Sequence, residues 1–143
     1  MRGALAQAAP QAIARQIELS LDAPDTLPAR LDQAAFESIA HNLIDNALRY
    51  TPHGGNVAVA LRREGATLQL SVQDDGPGIP ATEHQRVFER FYRGAGHAAS
   101  GSGLGLAIVR QAVLRMGGQV QIGVGLNGKG VGFFVSIPLP HSA

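Results

Sequence analysis

The sequence predicts an α+β fold, a two-layer sandwich in which a mixed, mostly antiparallel sheet carries three helices on one face. Short segments with alternating apolar and polar residues occur in pairs, and turn residues separate the members of each pair, so they predict a sheet built of hairpins. Longer segments between these pairs place apolar residues at helical spacing and predict the helical layer. A chain of 143 residues is long enough to bury a core between two such layers in one domain.

The first predicted elements are a strand and a long helix. Residues 17–21 alternate between apolar and polar side chains and predict a strand. Asp32 is suited to cap a helix that continues to about Tyr50, beyond which a proline and two glycines end it. The predicted apolar stripe of this helix consists of Phe36, Ile39, Ala40, Leu43, Ala47 and Tyr50.

Two hairpins are predicted, one in each half of the chain. Residues 56–62 and 67–73 form the first, and residues 119–124 and 131–137 form the second. The sequence GVGLNG at residues 123–128 has the spacing G-x-G-x-x-G, but a strand follows it where a dinucleotide-binding motif needs a helix. This segment is therefore interpreted as a hairpin loop.

Two further helices are predicted between the hairpins. A short one is expected over about residues 81–91, and a longer one over residues 104–116, where two glycines end it. Residues 94–103 between them are mostly small. Such residues bury too little surface to offset an ordering entropy of about 1–2 kcal/mol per residue, so we expect a mobile lid that a bound ligand orders.

Composition and charge exclude several classes of function. A formal net charge of +1 gives no general attraction to nucleic acid or to membrane surfaces. No run of about 18 apolar residues is present, so direct membrane insertion is not expected. The absence of cysteine excludes disulfides, a thiol nucleophile and cysteine-ligated zinc. Residues 1–16 are interpreted as an N-terminal tail or an expression remnant, and residues 17–143 as the functional domain. The alanine- and glutamine-rich residues 1–10 are also compatible with the tail of a preceding helix.

The most informative motif is the sequence SGSGLGLAIV at residues 100–109. Gly101, Gly103 and Gly105 lead directly into an amphipathic helix. Glycine lets the backbone approach a ligand closely, and the unpaired N–H groups and dipole at a helix N-terminus attract phosphate. Glycine clusters also form ordinary flexible turns, so this segment alone leaves phosphate binding and a plain turn equally open.

Polar residues further upstream have the same two interpretations. Asn42 and Asn46 are four residues apart and lie along one edge of the apolar stripe, with Arg49 nearby. From the helix alone, a solvated flank is the simpler interpretation. Asp74 and Gly76 follow a predicted strand, where a carboxylate can accept a hydrogen bond from a bound ligand, although Asp-Gly sequences are also common in surface turns.

Four segments in order resemble the N, G1, F and G2 boxes of sensor histidine kinases. They are NLIDNALRYT at residues 42–51, DDGPGIP at residues 74–80, FERFYR at residues 88–93 and the glycine run at residues 100–109. The resemblance is to the catalytic, ATP-binding domain, in the superfamily shared with DNA gyrase and the MutL repair ATPase. It extends from about Ile17 to Pro138 and implies the Bergerat-type ATP-binding fold.

The resemblance implies ATP and Mg²⁺ as cofactors and assigns roles to individual residues. Asn46 would supply an oxygen ligand to Mg²⁺, and Arg49 would neutralise phosphate charge. Tyr50 would pack near the adenine, and Asp74, rather than Asp75, would accept a hydrogen bond from its amine. The nucleotide-binding residues implied in this way are Asn42, Asn46, Arg49, Tyr50, Asp74, Gly76, Gly78, Ile79, Arg93, Gly101, Gly103, Leu104, Gly105 and Leu106.

Position 42 distinguishes related reactions. In gyrase-like hydrolases the residue four before the magnesium asparagine is a glutamate that activates water, whereas here it is Asn42, which is not a base at neutral pH. Glu37 falls on the opposite side of the predicted helix. With Asn42 and Asn46 as the implied catalytic residues, phosphoryl transfer is favoured over hydrolysis.

The implied function is transfer of the γ-phosphoryl group of ATP to a histidine on a separate dimerisation domain, with a response regulator as the downstream partner. The implied location is the cytoplasm, for a parent protein that can be anchored in the inner membrane. A gyrase-like ATP hydrolase and a non-catalytic nucleotide-sensing module remain alternatives. One departure from the family pattern is the sequence GVGF at residues 130–133, where Gly132 is expected to loosen packing in the last strand.

Overall fold

Residues 2–23, 32–76 and 105–139 are described by the computed structural model, and they contain three helices and five strands. The helices are α1 (Arg2–Ala14), α2 (Gln33–Tyr50) and α3 (Gly105–Arg115). The strands are β1 (Glu18–Asp22), β2 (Asn56–Glu64), β3 (Thr67–Asp74), β4 (Gln119–Val124) and β5 (Val131–Pro138). The predicted helix near residues 81–91 and the predicted lid at residues 94–103 lie outside the described residues. None of the described helices is long and apolar enough to cross a membrane.

The described strands form a mixed sheet in the order β1-β2-β3-β5-β4. β1 pairs with β2 in parallel, and all the other neighbours are antiparallel. Both predicted hairpins are present, and pairing of β3 with β5 joins them edge to edge. The predicted α+β class and the mostly antiparallel sheet are therefore confirmed.

Alternate residues of the central strands point to one face of the sheet and form much of the core. Leu68, Leu70 and Val72 of β3 are each 1% exposed on this face. Helix α2 packs against β2 and β3, and α3 packs against α2 and β4. Other buried side chains of the sheet are Val57, Val59, Leu61, Phe133, Val135 and Ile137.

Helix α2 begins at the cap that the sequence predicts. The Asp32 carboxylate accepts a hydrogen bond from the Ala35 N–H group at 3.1 Å, which satisfies one of the donors left unpaired at a helix start. At the other end, the Thr51 hydroxyl donates to the Ala47 carbonyl at 2.7 Å. The predicted start and end of this helix are both confirmed.

Helix α1 is the main difference from the sequence-based interpretation. Residues assigned to a tail or remnant form a helix that packs against α2 and β1 and buries Ala8 and Ala12. The sequence left a helix in this region open only as one of two alternatives, because the segment is rich in alanine and its apolar and polar residues are poorly separated. That the functional domain begins at residue 17 stays a prediction.

The packing of α1 also explains a wider buried face on α2. Ile44 and Leu48 are fully buried, although the predicted stripe of α2 omitted both. The predicted stripe faced the sheet alone, whereas α2 packs against both the sheet and the neighbouring helix α1. The Arg15 guanidinium, just after α1, donates to the Leu48 and Thr51 carbonyls at the C-terminal end of α2.

Gly132 does not loosen the last strand as expected. Gly132 of β5 pairs with Gly123 of β4, and the Phe134 ring lies over both glycines on the outer face of the sheet. A Cβ atom at Gly132 would lie 2.8 Å from the Phe134 ring and 2.6 Å from the Val124 carbonyl oxygen. The space left by two missing side chains is therefore filled by an aromatic ring.

The segment with G-x-G-x-x-G spacing connects β4 to β5. It contains a short 3₁₀ turn, Leu126–Gly128, and Gly128 and Gly130 both have positive φ angles. The prediction of a hairpin loop is confirmed.

Candidate functional site

The two adjacent acids at the end of β3 point to opposite faces of the sheet. Asp74 continues the inward row of Leu68, Leu70 and Val72, and it is 3% exposed. Because successive strand residues alternate between faces, Asp75 points the other way. The carboxylates of Asp75 and Asp74 therefore meet different surroundings, and only that of Asp74 lies on the helix-covered face.

The Asp74 carboxylate is held by backbone donors from two separate segments. Its Oδ1 atom accepts hydrogen bonds from the Gly76 N–H group at 2.9 Å and from the Val131 N–H group at 3.3 Å. Burial raises the pKa of Asp74 above its ordinary value, the two hydrogen bonds partly oppose that rise, and the Asp75 charge adds to it. The result is a desolvated acceptor with a fixed orientation.

The β4–β5 loop approaches Asp74 so closely that side chains are excluded. A Cβ atom at Gly130 would lie 2.4 Å from Oδ1 of Asp74, and one at Gly125 would lie 2.1 Å from its carbonyl oxygen. Gly130 also has a φ of +72°, which favours glycine. Sequence reasoning missed Gly125, Gly130 and Val131 as neighbours of Asp74, because they lie far away along the chain and meet it only through the β3–β5 pairing.

On the helical side, α2 and the start of α3 come together at Asn42. The Asn42 side chain donates through Nδ2 to the Ser38 carbonyl oxygen at 2.8 Å. Its Oδ1 atom lies 3.4 Å from the position that a Cβ atom would take at Gly105, the first residue of α3. The structure therefore brings one member of the predicted asparagine pair next to the first described residue of α3.

Asn46 and Arg49 follow Asn42 on the same edge of α2. Asn46 is half-buried, and its side chain makes no hydrogen bond to another described residue. The Nε atom of Arg49 lies 3.2 Å from Oδ2 of Asp45, an ion pair between residues four apart on the helix. His41, which precedes Asn42, is exposed.

The described part of the chain contains only some of the predicted site residues. Asn42, Asn46, Arg49, Asp74, Gly76, Gly105 and Leu106 are described, and Leu106 packs against the core. The side chain of Tyr50 is outside the description, as are Gly78, Ile79, Arg93, Gly101, Gly103 and Leu104.

Comparison with known sequences supports one family. Residues 31–141 match the sequence model described as "Histidine kinase-, DNA gyrase B-, and HSP90-like ATPase". The chain is 38% identical over 135 residues to the swarming motility regulation sensor protein RssA of Serratia marcescens. That match covers 94% of this chain and 29% of RssA, so the chain spans less than a third of the length of this relative.

Two solved structures of similar proteins superimpose on almost the entire chain. The structure of the mycobacterial sensor histidine kinase MprB superimposes with a TM-score of 0.82 at 32% identity, covering 99% of this chain and 97% of that one. Full-length ShkA in complex with AMPPNP gives a TM-score of 0.82 at 32% identity, covering 99% of this chain and 30% of that one.

Proposed function

Because the chain belongs to the histidine kinase-, DNA gyrase B- and HSP90-like ATPase family, we propose that it binds ATP and transfers its γ-phosphoryl group to a histidine on a separate dimerisation domain. The observation that carries this proposal is the buried, backbone-held carboxylate of Asp74 at the end of β3. The same helix-covered side of the sheet carries the polar edge of α2 and the N-terminus of α3.

Asp74 recognises the adenine base in this proposal. An ionised carboxylate is an acceptor only, so it can take a hydrogen bond from the exocyclic amine of adenine. Guanine presents a carbonyl oxygen at that position, and the buried carboxylate would then face another acceptor. Gly76 supports this arrangement by fixing the Oδ1 atom of Asp74 through its N–H group.

The phosphates lie in this proposal between the edge of α2 and the N-terminus of α3. Backbone N–H groups at Gly105 and Leu106 would donate to phosphate oxygens. Arg49 would exchange its ion pair with Asp45 for a phosphate contact, since an exposed pair of this kind contributes only about 0–1 kcal/mol. The residues implied outside the described ranges would complete the site.

The donor chemistry at Asn46 fits a magnesium ion. Mg²⁺ prefers oxygen ligands, keeps several waters and needs few protein ligands when phosphates complete its shell. Asn46 offers a half-buried amide oxygen that no other described residue engages. When bound, the ion neutralises negative charge on the phosphates.

Asn42 favours transfer to histidine over hydrolysis. Its amide cannot take a proton from water, and its Nδ2 group is held by Ser38. A neutral imidazole already has a free lone pair and needs less help from a base than water does. The missing base therefore slows hydrolysis much more than transfer. In this proposal the domain lies on the cytoplasmic side of its parent protein, and a response regulator is the downstream partner.

Calorimetric titration with ATP and with GTP in magnesium buffer tests the nucleotide site. We expect clear preference for ATP, and Asp74→Asn should reduce ATP affinity by about tenfold, the size of one hydrogen bond to a charged group. Asp22→Ala is the matched control, because it removes an exposed carboxylate of the same sheet. Equal affinity of the unmodified chain for the two nucleotides would contradict adenine recognition.

A further inference from the structure

The second acid at the end of β3 has its own partners. The Asp75 carboxylate accepts two hydrogen bonds from Asn56, one from its backbone N–H group at 2.8 Å and one from its Nδ2 group at 2.8 Å. The Asp75 N–H group donates back to the Asn56 carbonyl oxygen at 3.2 Å. Three hydrogen bonds therefore join the last residue before the Gly76 turn to the first residue of β2. We call this pair the Asn56–Asp75 clamp.

The clamp determines where the chain leaves the sheet. Val57 pairs with Asp74, so Asn56 and Asp75 occupy the next rung of the antiparallel ladder. In a continued ladder the Asn56 N–H group would donate to the backbone carbonyl of Asp75. The side-chain carboxylate takes this donor instead, so the backbone after Asp75 is free to turn toward Gly76, whose N–H group orients Asp74.

The clamp also lies against the segment that follows α2. A Cβ atom at Gly55 would lie 2.9 Å from Oδ1 of Asp75 and 2.5 Å from Cγ2 of Thr51, the C-cap of α2. The end of α2 and the end of β3 are therefore packed together through Gly55. These two elements carry the residues proposed for the phosphate side and the adenine side of the nucleotide.

We propose that Asp75 and Asn56 are positioning residues for nucleotide binding, which fix the Asp74–Gly76 turn against the end of α2 without touching ATP. This inference rests on the proposed function, because it requires Asp74 to bind adenine. The pKa of Asp75 lies below its ordinary value, chiefly because of the hydrogen bonds from Asn56. The carboxylate is therefore ionised and accepts hydrogen bonds at neutral pH.

The test uses the full 143-residue chain and compares ATP with GTP in magnesium buffer. We expect Asp75→Ala, which removes both hydrogen bonds to the carboxylate, to reduce ATP affinity by about tenfold, the size expected for loss of hydrogen bonds to a charged group. Asn56→Ala removes only the bond from Nδ2, so we expect a smaller reduction in the same direction. We expect GTP affinity to change less, so that the ATP-to-GTP ratio falls. The double variant should lose little more than Asp75→Ala alone, because Asp75→Ala already removes the one hydrogen bond that Asn56→Ala removes.

Two further variants separate positioning from stability. Asp75→Asn keeps an oxygen that can accept one hydrogen bond from Asn56, so it should retain more ATP affinity than Asp75→Ala. Asp22→Ala, which breaks the exposed pair between Asp22 and Arg62 at 3.1 Å, should leave the ATP-to-GTP ratio unchanged. Each melting temperature is measured alongside, and binding is measured well below it.

The outcomes distinguish this inference from the proposed function. If Asp74→Asn lowers the ATP-to-GTP ratio but Asp75→Ala and Asn56→Ala do not, the positioning role is wrong and the adenine site stands. If ATP and GTP affinities fall in parallel, the clamp is only structural and the inference is also wrong. If the unmodified chain shows no ATP preference, the adenine proposal fails, and the inference fails with it.

Discussion

At the scale of the residue, the adjacent acids Asp74 and Asp75 show how strand alternation gives two side chains of the same type different surroundings and different roles. Asp74 is buried and held by two backbone donors, and its pKa is raised mainly by burial. Asp75 faces Asn56 across the strand end, and hydrogen bonds from Asn56 lower its pKa. From the sequence, resemblance favoured Asp74 as the adenine ligand, and the burial of Asp74 supports the same choice.

We predict that Asp74→Asn stabilises the nucleotide-free chain while weakening ATP binding. The folded-state pKa of Asp74 lies above the ordinary value of 3.8, so the folded state favours the protonated form. The contribution of Asp74 to stability is then most favourable below pH 3.8 and is lost as pH rises through the folded-state pKa, so the ionised carboxylate reduces stability at neutral pH. Urea unfolding at pH 7 should show a gain of about 0.5–2 kcal/mol for the variant.

The difference between the variant and the unmodified chain should shrink when the unfolding series is repeated at acidic pH. A variant that is less stable at pH 7, or a difference that grows toward acid, would show that burial of the charge is not the dominant effect at Asp74.

We predict that Asn46→Ala removes the dependence of nucleotide binding on magnesium. The reason is that Asn46 offers an amide oxygen on the edge of α2 that carries Asn42 and Arg49. ATP affinity is measured across a magnesium titration, with Ser38→Ala as the control because its carbonyl, which holds Asn42, is retained. Identical magnesium titration curves for Asn46→Ala and the unmodified chain would remove Asn46 from the metal site.

At the scale of the element, local signals predicted most of the fold. The cap at Asp32, the alternation in β2 and β3 and the glycines after α3 depend on neighbours within a few residues. Contacts between distant segments could not be predicted in this way. Ile44 and Leu48 are buried on α2, which packs against α1 as well as against the sheet. Val131 reaches Asp74 only through the pairing of β3 with β5.

We predict that Asp32→Ala destabilises the chain by about 1 kcal/mol, the usual effect of losing an N-cap. The variant leaves the Ala35 N–H group without its acceptor at the start of α2. Chemical denaturation gives the change in free energy of unfolding, and Asp22→Ala serves as a comparison because its exposed ion pair contributes little. Equal losses in the two variants would argue against a capping role for Asp32.

At the scale of the whole molecule, the resemblance found in four short motifs is confirmed by the family match over residues 31–141 and by the superposition on MprB. Motif order was informative because the fold brings segments from different parts of the chain to one side of the sheet. Asn42 on α2 and Gly105 on α3 belong to two of these motifs, and they lie next to each other. The individual site residues stay predictions until nucleotide binding is measured.

The most direct test of the account is a phosphoryl-transfer assay with γ-labelled ATP, this chain and a cognate histidine-bearing dimerisation domain. We expect acid-labile label on the dimerisation domain and none on this chain. Phosphate release by the chain alone should be very slow, because Asn42 offers no base to activate water. Asp74→Asn should reduce labelling at limiting ATP, and Asp22→Ala should not. Rapid phosphate release by the chain alone, with no label on the dimerisation domain, would contradict the kinase assignment and favour a hydrolase.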